Sequence, residues 1–99
     1  MSTYAKIPSL SASLPTFATV GIASGLALAA NVTRAGLSLI NTSNSRMSLA
    51  FGSPAVLNSG IVLLPSQSWQ MNEYSFTTQA VFAIAAVAGS NLAIQEYTA

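Results

Sequence analysis

The sequence predicts an all-β protein: a small antiparallel β-sandwich or barrel of about six to eight strands with an extended N-terminal arm. Three observations carry this. Apolar and polar residues alternate with a period of two in short runs such as "AGLSLIN" and "RMSLAF", the spacing at which a strand turns one face to a core. Clusters of Gly, Pro, Asn and Ser punctuate these runs at close intervals, as in small sandwiches and barrels. No helix cap leads into a long apolar stripe of period 3.6.

Residues 1–17, "MSTYAKIPSLSASLPTF", form the arm, and 18–99 a single β-domain. Pro8 and Pro15 lack an N–H and hold the residues before them extended. Serines alternate loosely with Ile7, Leu10, Leu14 and Phe17, too little apolar surface to fold alone. Seventeen extended residues span roughly 55 Å, whereas the domain should measure about 30 Å across. The arm is therefore expected to reach a neighbouring subunit, the alternative being an edge strand of its own domain. No charge occurs from Ile7 to Thr33, Lys6 precedes, and Ala27–Ala29 reads "ALA", the outline of a secretory signal. Pro8, Pro15, Gly21 and Gly25 break its apolar part, which favours a retained arm.

After Phe17 the elements follow in order. "ATVGIA" and "LALAA" are weak strands; Gly21 and Gly25 argue against the helix that their alanine content would otherwise allow. "AGLSLIN" sets Leu37 and Leu39 against Ser38 and Ile40, and "RMSLAF" sets Met47, Leu49 and Phe51 against Ser48 and Ala50. "NTSNS" between them, rich in residues that bond their own backbone, predicts a β-hairpin. A loop through Pro54 and Gly60 leads to "IVLLP", and Pro65–Ser66 makes a turn. "SWQMNEY" alternates Trp69 and Met71 against Gln70 and Asn72. "AVFAIAAVA" and "NLAIQEY" follow, with "GSN" as a tight turn between them. The apolar nonapeptide is too short to cross a membrane.

Charge is the outlier of the composition. Of 99 residues, 52% are hydrophobic and 5% charged, against about 25% charged in typical domains. A surface this poor in charge invites association, so much of it is expected to be covered by neighbours. A net charge of +1 from Lys6, Arg34 and Arg46 against Glu73 and Glu96 lacks the basic patch that nucleic acid requires. There is no cysteine and no histidine, which removes disulfides, thiolate metal sites and the commonest general base. Glu73 and Glu96 each sit beside a tyrosine and are expected to serve a structural ion pair with Arg34 or Arg46 rather than a paired-carboxylate site. No phosphate-binding loop or nucleophile elbow is present. No enzyme activity, cofactor or metal is expected. "NVT" at Asn31 and "NTS" at Asn41 match the glycosylation acceptor pattern but read as turn residues.

The residues singled out for contacts are Tyr4, Ile7, Leu10, Leu14 and Phe17 of the arm, with Arg34, Arg46, Trp69, Glu73 and Tyr97 of the domain. Trp69 is expected in the core or as a surface anchor. The two arginines are expected across subunit contacts, where a guanidinium binds bidentately, or in solvated turns. Residues 31–96 also carry an ordered set: Asn31, Arg34, Gly36-Leu37, Asn41 and Ser43, Leu49-x-Phe51-Gly52, Ser59-Gly60-Ile61-x-Leu63, Glu73-Tyr74, Ala83-Ile84-Ala85 and Glu96. This order resembles small β-domains in structural proteins of tailed bacteriophages, of capsid decoration (cement) or head-fibre type. The arm and "SWQMNEYSF" depart from it. The resemblance implies a virion protein, assembled in the host cytoplasm, that bridges major capsid subunits as a homo-oligomer, with a trimer favoured. A tail or head-fibre component with a receptor- or carbohydrate-binding surface is the alternative; neither implies nucleic acid or membrane as partner.

Overall fold

The computed structural model describes residues 11–12 and 14–99. These described residues form nine strands: β1 (Ser11–Ala12), β2 (Thr16–Val20), β3 (Gly25–Leu28), β4 (Arg34–Asn41), β5 (Met47–Phe51), β6 (Ile61–Leu63), β7 (Ser68–Gln70), β8 (Val81–Ala85) and β9 (Ser90–Thr98). Among the described residues there is no helix. In the first sheet β1 and β2 share one edge of β9, followed by β4 and β7; the second runs β3-β8-β5-β6. All pairings are antiparallel, β4 also pairs β9 and β5 also pairs β8, and four of the pairs are nested. β2 pairs β9, β3 pairs β8, β4 pairs β7 and β5 pairs β6. A chain folded in half and rolled into two sheets in this way is a jelly roll, one form of β-sandwich.

Period-two alternation fills the space between the sheets. Leu37, Leu39, Leu92, Ile94 and Val20 face inward from the first sheet, and Met47, Leu49, Leu63, Val81, Ala83 and Ala85 from the second. The pairs Met47–Ala85 and Leu49–Ala83 set a long side chain beside a short one, which lets the layers interdigitate. Each fully buried large side chain contributes about 1.5–3 kcal/mol. Trp69 closes the core beside Phe51, with ring centroids 5.2 Å apart at an interplanar angle of 48°.

Several elements differ from the sequence expectation. Residues 35–51 are not a hairpin: β4 lies in the first sheet and β5 in the second, so "NTSNS" is a crossover between layers. "GSN" likewise joins strands of different sheets. Alternation reports which face a residue takes, and both strands keep their inward residues whether they pair or stack. The strand in "SWQMNEY" stops at Gln70, because Asn72 Oδ1 accepts the backbone N–H groups of Tyr74 and Ser75 and turns the chain. The described part of the expected arm belongs to the domain's own sheet: Ser11–Ala12 and Thr16–Phe17 pair with β9, whose edge would otherwise present unpaired N–H and C=O groups. The rest of that arm, residues 1–10 and 13, lies outside the described residues.

The nine-residue loop 52–60 folds over the outer face of the second sheet. Asn58 N–H donates to Ser48 Oγ at 2.8 Å and Ala55 N–H to Ser24 Oγ at 2.8 Å. Ser48, on the outward side of β5, is thereby 0% exposed. Gly52 and Gly60, with φ of 71° and 70°, supply the left-handed turns at its two ends.

Candidate functional site

Strand β4 runs the length of the sandwich, roughly 23 Å at the usual rise, and carries a buried polar residue at each end. These two residues organise the loops that any partner would meet.

At one end Arg34 is 2% exposed. Its Nε donates to Glu96 Oε2 at 2.7 Å. Nη1 donates to the carbonyls of Thr77 and Gln79 at 3.1 and 2.8 Å, and Nη2 to that of Ala29 at 3.0 Å. A planar fork of donors thus ties the β3–β4 loop, the β7–β8 loop and β9 together. The β7–β8 loop rests on this clamp and on a bond from Met71 N–H to the Leu37 carbonyl at 2.9 Å. Its tip is locked by Asn72 and Ser75: Asn72 N–H donates to Ser75 Oγ at 3.0 Å, while Ser75 N–H returns to Asn72 Oδ1 at 3.1 Å. The lock displays Tyr74, 92% exposed, with Phe76 at 50% and Glu73 beside them. Between this loop and β4 is a cleft of about 450 Å³ lined by Ala35, Met71, Asn72, Glu73 and Phe76.

At the other end Asn41 is 0% exposed. Its Nδ2 donates to the carbonyls of Ser45 and Leu63 at 2.8 and 2.9 Å, and its Oδ1 accepts Ser43 N–H and Oγ at 3.0 and 2.6 Å. Ser90 Oγ donates to the Val87 carbonyl at 2.7 Å and lies 2.7 Å from Ser45 Oγ. The β4–β5 and β8–β9 loops so held enclose a cleft of about 340 Å³, lined by residues 43–45 and 87–91 and free of ionic side chains.

The residues expected at contacts fall into four groups. Tyr4, Ile7 and Leu10 lie outside the described residues. Leu14, Phe17 and Tyr97 are exposed at 86%, 66% and 36%, Tyr97 with its ring against Gly36. Glu73 and Arg46 are exposed, and Arg46 Nε donates to Asn58 Oδ1 at 2.7 Å. Arg34 is buried within the chain and not in a solvated turn. It forms an ion pair with Glu96, one of the pairings expected, and its guanidinium makes four hydrogen bonds inside the chain. Trp69 takes the core position. Of the two acceptor-pattern asparagines, Asn31 caps a turn, its Oδ1 accepting Thr33 N–H and Oγ1 at 3.0 and 2.8 Å, whereas Asn41 is not the expected turn residue but the buried last residue of β4. Sequence reasoning missed Asn41 and Ser90 as buried anchors, although the signal was there: Asn41 shares the parity of Leu37 and Leu39, and Ser90 that of Leu92 and Ile94.

Among the described residues no group of three or more acidic, histidine or cysteine side chains could hold a metal, and no helix is long and apolar enough to cross a membrane. No family model matches the chain, and no curated protein is found similar to it. A solved structure is. It is a chain from Bacillus endospore appendages, described as a novel family of disulfide-linked pili, with 15% sequence identity and a TM-score of 0.53 over 91% of this chain and 88% of that one. The likeness is one of fold. No bacteriophage family is among these findings. The disulfide linkage has no counterpart here, since the chain contains no cysteine.

Proposed function

We propose that this chain is a structural subunit that works by assembling non-covalently with copies of itself. The observation that carries the reading is the fate of its charges. Of five ionic side chains, Arg34 and Glu96 are spent on an internal pair, and only Arg46 and Glu73 remain on the described surface. Exposed apolar residues such as Leu14, Phe17, Leu26 and Val56 share that surface, which favours association. The pilus subunit of like fold supports the same class of role by analogy of fold alone. With no cysteine, strength has to come from burial and backbone pairing. The role is structural, without catalysis, cofactor or metal.

The finer setting we propose is a virion: a bacteriophage capsid decoration protein that binds major capsid subunits. The ordered motifs from Asn31 to Glu96 and the occurrence of jelly rolls in viral coats support it. A head- or tail-fibre role with a glycan-binding surface is favoured by one observation, the display of Tyr74, since an exposed aromatic is a stacking platform. Light scattering after gel filtration, followed by electron microscopy of the purified chain, tests the shared claim. Multimers or filaments of the chain alone are expected. A monomer at every concentration would refute self-assembly and leave only coverage by a different protein, such as a capsid subunit.

A further inference from the structure

Resting on the self-assembly reading, we infer that copies join end to end, with the Tyr74 loop of one chain seated in the Asn41-end cleft of the next. The two surfaces lie at opposite ends of β4, where that strand leaves the Arg34 clamp and where it enters the Asn41 network. A contact between two different patches at opposite ends is heterologous, and repeated without closure it builds an open row.

The knob has the chemistry of an anchor. Tyr74 is 92% exposed, yet its backbone is held by Asn72 and Ser75, so little loop freedom is lost on docking. Tyrosine joins an apolar ring to a polar tip and is enriched at interface centres. The cleft offers both kinds of wall. Val87 and Ala88 are apolar, while Ser43, Ser45 and Asn91 supply hydroxyl and amide groups. Its frame is fixed by the Ser45–Ser90–Val87 and Asn41–Ser43 hydrogen bonds. The charges agree as well. Glu73 precedes Tyr74 on the knob, and Arg46, whose Nε rests on Asn58 Oδ1, follows the cleft residue Ser45 in the chain, so a head-to-tail contact sets exposed ions of opposite sign on the two facing surfaces.

The experiment uses Tyr74→Ala, which lacks the knob, and Ala88→Trp, which fills the cleft; both positions are exposed, and circular dichroism verifies folding. By light scattering the native chain should form multimers and each variant alone should be a monomer. An equimolar mixture should give a 1:1 species of twice the single-chain mass, because one variant keeps the cleft, the other keeps the knob, and neither can propagate. In the native chain Glu73→Arg should weaken assembly severalfold, and adding Arg46→Glu should restore it. Native multimers that persist in either variant, or variants that stay monomeric when mixed, would overturn the end-to-end contact while leaving self-assembly standing. A monomeric native chain would overturn both.

Discussion

At the scale of single residues, stability concentrates in Arg34 and Asn41. Replacing Arg34 with Met leaves Glu96 without its 2.7 Å donor and the carbonyls of Ala29, Thr77 and Gln79 without theirs. Breaking one side of a buried ion pair costs about 3–5 kcal/mol, so a urea titration should show a loss of that order. Arg34→Lys should recover little, because one ammonium cannot reach acceptors spread around a planar fork. Asn41→Asp keeps the size and the acceptor oxygens but loses the Nδ2 donor to Ser45 and Leu63 and sets a charge against two carbonyls. A loss of at least about 1–3 kcal/mol is expected, visible as a lowered melting temperature. Arg34 was legible as one of two candidate partners, with Arg46, for Glu73 or Glu96. Its burial was not, because nothing in local spacing says that three loop carbonyls converge on one point. Asn41 was legible only through its parity with Leu37 and Leu39, and the first residue of "NTS" reads first as turn chemistry.

At the scale of elements, β4 and β9 make the hub of the first sheet, and loop 52–60 acts as a cover for the second. Replacing residues 53–59 with a two-residue turn would remove the partners of Ser48 and Ser24 and uncover Phe82, Ile84 and Val62, which face outward from β8 and β6. Increased binding of a hydrophobic dye with the far-ultraviolet spectrum retained is the expected outcome. Truncations separate the described edge strands from what precedes them. Removing residues 1–17 deletes β1 and the first two residues of β2, and so should lower the melting temperature more than removing 1–10. Strand positions were readable from alternation at "RMSLAF" and "NLAIQEY". Partners were not: the nested pairs β2–β9, β3–β8 and β4–β7 join segments far apart in sequence, and short turns such as "GSN" connect layers as readily as they connect neighbours. The two clefts were invisible in the sequence because each is lined by separate segments.

At the scale of the whole molecule, a nearly uncharged surface favours coverage by neighbouring chains. Screening acts on exposed ions, and a surface pair contributes about 0.2–1 kcal/mol. Raising the salt from about 0.05 to 0.5 M should therefore shift the assembly midpoint by less than about tenfold, as read by sedimentation velocity. A collapse of assembly in salt would mean that charges outside the Arg46–Glu73 pair carry the contact. The most direct measurement is the native mass of the full chain by light scattering across a concentration series. Self-assembly requires a mass that is a multiple of one chain and grows with concentration. A constant single-chain mass throughout would rule self-assembly out.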